Sequence, residues 1–273
     1  MTLRDITPAG EPCWVDLWTR DPDRSARFYS ELFGWTTRTS GEEYGNYVTF
    51  MKNGHDVAGM SEQMPESTAP DAWHTYLAVT DVDEAAAAAR AAGATVLAEP
   101  MTVGEMGRMA VLLDPTGAPI GLWQPLEFAG FGLVDEPGAP VWHELSTRRW
   151  SDAVAFYTNV FGWELQPLSD TADFRYSTLG SGSDMVAGLY DAEKTLPEGV
   201  PATWQLYLGV TDVTDAAARV RELGGSVLLD PRESEFGSFA QVADPTGAVF
   251  LLGAVTAAVP RERTDSAQSD IET

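Results

Sequence analysis

Two stretches of the chain decide the fold because they are versions of one another. Residues 12–35 read PCWVDLWTRDPDRSARFYSELFGW, and residues 140–163 read PVWHELSTRRWSDAVAFYTNVFGW. Aligned at an offset of 128, ten of the 24 positions are identical. Two further matched pairs follow in the same order: WHTYLAVTDVDEA from Trp73 with WQLYLGVTDVTDA from Trp204, and DPTGA from Asp114 and from Asp244. Three matched blocks in one order indicate a duplicated domain.

Within each repeat, the side-chain pattern predicts a strand followed by a helix. Residues 13–20 alternate as a strand does, residues 22–33 place apolar side chains at helical spacing, and Gly34 predicts the end of that helix. The other elements predicted for the first repeat are strands near 36–40, 46–51, 56–60, 74–80, 94–98, 108–113 and 119–124, and a helix at 83–92 between Asp81 and Gly93. Each repeat therefore reads β-α-β-β-β twice, so we expect four such units.

The repeat also sets the expected domain boundaries. We expect a first module at 1–128, a linker at 129–138 and a second module at 139–256. The linker sequence AGFGLVDEPG is rich in glycine. Residues 257–273 are polar, charged and without periodicity, which predicts a disordered tail.

Composition excludes several classes of partner. The chain has 17 Lys and Arg against 41 Asp and Glu, a formal net charge of −24, so it repels nucleic-acid phosphates and anionic membrane surfaces. Cys13 is the one cysteine, so an internal disulfide is impossible. The N-terminal residues lack the apolar core of a signal peptide, and no run reaches the roughly 20 apolar residues of a membrane helix. We therefore expect a cytoplasmic protein.

Several motifs in these repeats resemble the vicinal oxygen chelate superfamily, which includes glyoxalase I, extradiol dioxygenases and the bleomycin- and fosfomycin-resistance proteins. The matching segments are Ser25 with Phe28-Tyr29, Leu-Phe-Gly-Trp at 32–35, Val-x-Asp-Val at 79–82 and Asp-Pro-x-Gly at 114–117, with counterparts in the second repeat. The resemblance covers about residues 10–255. Within the superfamily, the chain is similar in particular to two-module glyoxalase-like proteins that carry a hydroxylase label. One departure is Arg149, which stands where the first repeat has Asp21.

The resemblance implies an α+β fold of tandem βαβββ units, in which two curled sheets form two cups with helices outside. Catalytic relatives hold a divalent metal at the floor of the cup, through His on the first strand, His on the fifth and Glu on the eighth. Counted from the motifs, these six positions hold Trp14, His74, Gly121, Trp142, Gln205 and Leu251. Exchange of half-modules between the repeats does not restore a ligand set. Because indole has no basic lone pair, we expect neither a metal nor another cofactor.

Strand alternation then predicts what faces the cups, because every second residue of a strand points to the same side. The candidate ligand-contact residues are Trp14, Trp18, Tyr76, Trp123, Trp142, Gln205 and Tyr207. The candidate catalytic residues are Asp16, Glu144 and His74. Such walls of indole and phenol with a few polar groups suit a planar or aromatic ligand.

Each candidate has a structural alternative. The two tryptophans at the metal positions could be core residues, and His74 could be an interior histidine whose hydrogen bonds are satisfied. Asp16 and Glu144 could form ion pairs with Arg20 and Arg148 at the strand ends instead of moving a proton.

The leading hypothesis is a metal-independent protein that binds a planar or aromatic metabolite or antibiotic, as in the bleomycin-resistance branch. The alternative is a metal-free hydroxylase, cyclase or isomerase of secondary metabolism, so enzymatic activity stays open. A metal-dependent lyase or dioxygenase is disfavoured by the ligand count. A fourth hypothesis is an interaction protein whose cups are closed. The expected partner is a small molecule, and the expected assembly is a monomer or homodimer.

Overall fold

The structure is a computed structural model that describes residues 2, 3 and 6–255. The tail predicted at 257–273 lies outside these residues. In chain order the elements are β1 (Thr2–Leu3), β2 (Pro12–Thr19), α1 (Pro22–Phe33), β3 (Thr36–Thr39), β4 (Val48–Lys52), β5 (His55–Glu62), β6 (Ala72–Ala78), α2 (Val82–Ala91), β7 (Thr95–Val103), β8 (Gly107–Leu113), β9 (Pro119–Pro125), β10 (Leu133–Val134), β11 (Pro140–Thr147), α3 (Trp150–Phe161), β12 (Leu165–Asp170), β13 (Arg175–Leu179), β14 (Ala187–Asp191), β15 (Thr203–Val210), α4 (Val213–Glu222), β16 (Ser226–Ser234), β17 (Gly237–Ala243) and β18 (Val249–Ala254).

The two large sheets confirm the predicted α+β class with tandem βαβββ units. The first sheet has the strand order β3-β4-β5-β2-β6-β9-β8-β7, and the second has the order β12-β13-β14-β11-β15-β18-β17-β16. Each sheet takes all its strands from one repeat, so no half-module is exchanged between the sheets. The central strands β2, β6 and β9 of the first sheet lie side by side in that order, as do β11, β15 and β18 of the second. We call the concave faces around these strands the first cup and the second cup.

The helix boundaries follow from local chemistry that the sequence already displays. The Asp21 side chain accepts a 3.0 Å hydrogen bond from the Arg24 backbone N–H, which caps α1 at its start. At the end of the helix, Gly34 has a φ of 67°, a left-handed conformation that glycine adopts without strain. The predicted helix at 22–33 is therefore confirmed residue for residue.

The two modules pack against each other through their helices and the motifs that end them. Helix α1 contacts α4, and α2 contacts α3, so each pair joins the two repeats. Trp35 Nε1 donates a 2.7 Å hydrogen bond to the Gly138 carbonyl, and Trp163 Nε1 donates a 2.8 Å bond to the Gly10 carbonyl. The two matched tryptophans thus make equivalent hydrogen bonds, each to a backbone carbonyl that lies outside its own sheet.

The segment at 129–138 packs closely on the first module. Phe131 and Leu133 are buried, and the Phe131 backbone N–H donates a 2.9 Å hydrogen bond to the Cys13 carbonyl. Strand β10 in this segment pairs with β1. Among the described residues, no helix has the length and apolar character that crossing a bilayer requires.

Candidate functional site

A cavity of about 1100 Å³ opens in the second cup. Its wall combines aromatic side chains with a short polar strip, and six of the lining residues are Trp142, Glu144, Tyr176, Gln205, Tyr207 and Phe239. Four of the predicted site residues of the second repeat, namely Trp142, Glu144, Gln205 and Tyr207, are therefore brought together here. Tyr176 was not predicted.

Hydrogen bonds connect the polar strip of this cavity from end to end. Trp142 Nε1 donates to Tyr176 Oη at 2.9 Å, and Tyr176 Oη donates to Glu144 Oε2 at 2.8 Å. On the other side of the acid, Ser146 Oγ donates to Glu144 Oε1 at 3.2 Å, while Gln205 Nε2 donates to Ser146 Oγ at 2.7 Å. The Glu144 carboxyl is thus the central acceptor of the strip.

The buried position of Glu144 favours the neutral form of its carboxyl group, compared with a carboxyl group in water. Burial raises the pKa of this carboxyl, and the hydrogen bonds from Tyr176 and Ser146 oppose the rise. Burial and the nearby charge of Glu144 also raise the pKa of Tyr207. The cavity therefore holds a buried acid whose raised pKa suits it both to accept hydrogen bonds and to carry a proton.

The first cup contains the same trio of side chains in a closed form. Trp14 Nε1 lies 2.9 Å from Asp16 Oδ1 and 2.7 Å from Tyr47 Oη, and Tyr47 Oη donates to Asp16 Oδ1. Burial raises the pKa of Asp16 to about 6, although hydrogen bonds from Tyr47, Trp14 and Tyr76 lower it. The matched trio in the second cup is Trp142, Tyr176 and Glu144.

Aromatic side chains after β9 cover the trio of the first cup. The Phe128 ring meets Trp14 edge-on with centroids 4.7 Å apart, and the buried Phe131 ring lies 5.5 Å from Trp14. Trp123 Nε1 donates a 2.9 Å hydrogen bond to the Phe128 carbonyl. Trp14 and Tyr76 are only 4% and 2% exposed, whereas their counterparts in the second cup are partly exposed. In the first cup these predicted ligand-contact residues are core residues.

The tyrosine of each trio comes from a segment of the chain that the sequence analysis did not connect to the site. Tyr47 immediately precedes β4, and Tyr176 lies on β13. A weak signal was present, because Tyr47 begins YVTF and Tyr176 begins YSTL at nearly the same offset as the other matched pairs. The role of these two tyrosines depends on the arrangement of the strands in the folded sheets.

Strand register places a different fifth-strand residue beside the first and third predicted positions than the one counted from motifs. Trp14 lies opposite Tyr76, which pairs with Gly121, whereas His74 lies opposite Asp16. The equivalent row of the second cup is Trp142, Tyr207 and Leu251.

These rows do not fit a divalent metal ion. Indole nitrogen has no lone pair for a metal, neutral phenol is a poor ligand, and Gly121 and Leu251 have no donor atom at all. Within the described part of the chain, no group of three or more His, Cys, Asp or Glu side chains could hold an ion. No chemical step at this site is therefore assigned to a metal.

His74 and Trp18, two further predicted site residues, lie against each other beside the first cup. Their ring centroids are 4.4 Å apart, and both side chains are partly buried. Burial lowers the pKa of His74 to about 4, so the imidazole is neutral near pH 7. Its Nδ1 is buried and receives no hydrogen bond from the described residues.

The structure does not show the alternative in which Asp16 and Glu144 pair with the strand-end arginines. Arg20 Nε lies 2.9 Å from Asp71 Oδ1, and Arg148 donates to the backbone carbonyls of residues 196, 197 and 200. Both arginines follow the ends of their strands and bind these partners instead of the acids of the cups.

Comparison with known proteins assigns the class to which this fold and site belong. The family described as "Glyoxalase-like domain" matches residues 13–123 and again residues 143–253. The chain therefore belongs to the glyoxalase-like family and contains two copies of its domain.

Relatives of similar length support that assignment. "Putative glyoxylase CFP32" of Mycobacterium tuberculosis is 37% identical over 257 residues, which cover 92% of this chain and 97% of that protein. "Anthracycline biosynthesis protein DnrV" of Streptomyces peucetius is 33% identical over 261 residues, which cover 89% and 92%.

Solved structures share the fold at low sequence identity. A Mn(II)-bound glyoxalase from Novosphingobium aromaticivorans superposes with a TM-score of 0.63 at 19% identity, covering 90% of this chain and 82% of that one. The 2,3-dioxygenase LapB from Pseudomonas sp. KL28 gives 0.61 at 16% identity, with coverage of 92% and 93%. These likenesses establish the vicinal oxygen chelate fold alone.

Proposed function

We propose that this protein binds one planar aromatic small molecule in the second cup without the help of a metal. The observation that carries this proposal is the cavity of about 1100 Å³, whose aromatic wall surrounds a single buried acid, Glu144. A volume of this size accommodates a ligand of several fused rings. Flat π faces and one polar strip favour a flat molecule with a polar edge.

The aromatic wall extends beyond the floor to the rim of the cavity. Phe174 stacks on Tyr176 with centroids 5.7 Å apart, and Phe236 stacks on the same ring at 6.1 Å. Tyr190 lies 5.8 Å from Phe174. Because Phe236 is 56% exposed at the β16–β17 hairpin, it is placed to cover a ligand that enters from solvent.

The first cup supports a stoichiometry of one ligand per chain. Its matched residues are buried among each other, with Phe128 and Phe131 packed over Trp14. We infer that duplication left one module for binding and one as a structural partner.

The names of two relatives agree with a ligand of this shape. Both "Anthracycline biosynthesis protein DauV" and DnrV carry the name of a class of polycyclic aromatic compounds, and they are 32% and 33% identical to this chain. We propose by this likeness that the ligand is a polycyclic aromatic metabolite of secondary metabolism.

A second candidate function is metal-free proton transfer on the same ligand. The buried Glu144 favours this function. Its carboxyl accepts a 2.8 Å hydrogen bond from Tyr176 Oη, and burial raises its pKa. In its ionised form, this carboxylate could take a proton from a carbon next to a carbonyl and become the neutral acid, as a cyclase or isomerase requires. Incorporation of deuterium from D₂O into a bound quinone with an acidic C–H, lost in Glu144→Gln, would support it. Equal exchange in Glu144→Gln would reject it.

Binding itself is tested by titration with 2-(hydroxymethyl)anthraquinone, followed by calorimetry and by tryptophan fluorescence. We expect saturable binding of one molecule per chain, with quenching of Trp142. Phe236→Ala should weaken binding about tenfold, because it removes an aromatic contact at the rim.

The first module provides a matched control for this variant. Met106 is the residue that precedes β8 as Phe236 precedes β17, and it is also exposed. Met106→Ala should leave the affinity unchanged. Absence of saturable binding for this probe and for other planar quinones would reject the proposed function.

A further inference from the structure

Neighbouring side chains occupy most of the hydrogen-bond acceptor sites of Asp16, the acid of the first cup. Asp16 accepts hydrogen bonds from Trp14 Nε1 and Tyr47 Oη on one oxygen, and Tyr76 is a further hydrogen-bonding neighbour. A carboxylate offers about four acceptor sites, so three donors leave little capacity. Asp16 is buried among these rings.

The acid of the second cup keeps acceptor capacity that faces the cavity. Within the described chain, Glu144 receives one hydrogen bond from Tyr176 on one oxygen and one from Ser146 on the other. Trp142 donates to the Tyr176 oxygen and not to the acid. Each oxygen of Glu144 therefore has room for a donor that comes from a ligand.

The charges around the cavity are of one sign. Asp135, Glu144 and Glu235 are among its lining residues, and the described lining includes no Lys, Arg or His. Cations on neighbouring segments are engaged elsewhere: Arg175 pairs with Asp170 and Asp191, and Lys194 with Asp173.

One further cation lies on the β16 edge of the second sheet. Arg232 pairs in register with Phe239, but its side chain is exposed and lies outside the lining. The net charge of the whole chain is −24, which adds a long-range attraction for cations.

We propose that the second cup selects an aromatic ligand that carries a protonated amine, and that the Glu144 carboxylate accepts hydrogen bonds from this ammonium group. The inference rests on the proposed function, because it concerns the same cavity. The ammonium would compensate the cost of burying the carboxylate charge, which no cation of the described lining does. The faces of Trp142, Tyr176 and Tyr207 would add cation–π attraction to the group.

The test uses three anthraquinones that share one ring system and differ in one substituent: 2-(aminomethyl)anthraquinone, 2-(hydroxymethyl)anthraquinone and anthraquinone-2-carboxylate. Affinities are measured by calorimetry at pH 7.5 with the full chain. We expect the ammonium compound to bind about tenfold more tightly than the hydroxymethyl compound, as a charge-assisted hydrogen bond predicts. The carboxylate compound should bind more weakly than both.

Glu144→Gln keeps the shape of the floor and removes its charge, so it should abolish the preference for the ammonium compound while the hydroxymethyl compound still binds. Glu66→Gln is the matched control, because it makes the same chemical change on an exposed loop of the first module. It should keep the tenfold preference.

The outcomes separate this inference from the proposed function. If all three probes bind equally, or if Glu144→Gln retains the preference, the amine selectivity is rejected while the binding function stands. If none of the three probes binds, the proposed function fails and this inference fails with it.

Discussion

The hydroxyl of Tyr157, on helix α3 of the second module, donates a 2.9 Å hydrogen bond to Asp114 Oδ2 in the β8–β9 turn of the first module. The same hydroxyl accepts a 2.9 Å bond from Trp204 Nε1. Asp114 is fixed in place because its other oxygen accepts from the backbone N–H groups of Thr116 and Ala118. The Phe-Tyr helix and the Asp-Pro-x-Gly turn, two motifs far apart in the sequence, therefore meet across the interface between the modules.

The reciprocal contact exists on the other side of the interface. Tyr29 is hydrogen-bonded to Asp244, and Trp73 Nε1 donates to the Tyr29 oxygen at 2.9 Å. Ser25 Oγ lies 3.2 Å from Asp244 Oδ2. Duplication thus preserved both halves of a two-way connection, which explains why these motifs recur in both repeats.

Tyr157→Phe should destabilise the protein by about 1–3 kcal/mol, because it removes the hydroxyl that Asp114 Oδ2 and the buried Trp204 N–H both bind. Urea denaturation followed by circular dichroism measures the change. Tyr44→Phe is the control, since Tyr44 is 39% exposed and its loss should cost less than about 0.5 kcal/mol. A Tyr157→Phe protein as stable as the control would contradict the structural role of this contact.

Asp16 should make the stability of the protein depend on pH. The pKa of Asp16 is about 6 in the folded chain and near 3.8 in the unfolded one. Because the folded form binds its proton more tightly, the contribution is full below pH 4 and is lost as the pH rises through 6. Two pKa units correspond to about 3 kcal/mol. We therefore expect the free energy of unfolding to decrease between pH 4 and pH 7.

Asp16→Asn removes the titrating group and should flatten the pH dependence in this window. The measurement is a series of urea titrations from pH 4 to pH 7. Asp173→Asn is a matched control, because the Asp173 carboxyl is 99% exposed and its removal should leave the slope of the wild type. Parallel curves for the wild type and Asp16→Asn would show that Asp16 does not titrate in this range.

Chelation should leave the protein unchanged, because the rows Trp14–Tyr76–Gly121 and Trp142–Tyr207–Leu251 offer no set of metal donors. After dialysis against EDTA we expect the same Tm and the same affinity for 2-(hydroxymethyl)anthraquinone. Elemental analysis should find less than stoichiometric metal in the purified protein. A fall in Tm of several degrees on chelation, restored by Mn²⁺, Fe²⁺ or Zn²⁺, would contradict the metal-independent proposal.

Gly130→Ala should be strongly destabilising, by about 2–4 kcal/mol. Gly130 has a φ of +107°, and an added Cβ would lie 2.2 Å from the Cys13 carbonyl oxygen, so strain and overlap add together. Gly117→Ala isolates the first effect, because Gly117 has a φ of +94° but open space around it. It should cost only about 1 kcal/mol. Equal costs for the two variants would mean that the segment at 129–138 moves away freely.

The order of the elements was predictable from sequence because it depends on local chemistry. The helix at 22–33 begins at a capping aspartate and ends at a left-handed glycine, and both signals are written in adjacent residues. The duplication was equally visible, since it needs only a comparison of the chain with itself. The four βαβββ units and the presence of tryptophan at the metal positions followed from these patterns.

The cups depended on relationships that a linear pattern does not contain. Tyr47 and Tyr176 reach Asp16 and Glu144 across the intervening strands β5 and β14, and no spacing along the chain reveals that contact. The alternative in which the acids pair with strand-end arginines fails for the same reason, because Arg20 pairs with Asp71, which lies about fifty residues further along the chain.

Sequence alone determined the repeat, the secondary structure and the identity of the side chains on the inner strands, since periodicity and capping act between neighbours. Only the tertiary structure decided that the first cup is closed by Phe128 and Phe131 while the second contains a cavity. The tryptophans at 14 and 142 occupy matched positions of the repeat, so their different exposure arises from how the rest of the chain packs around them. Burial is a property of the whole packed chain and not of a residue's neighbours in sequence.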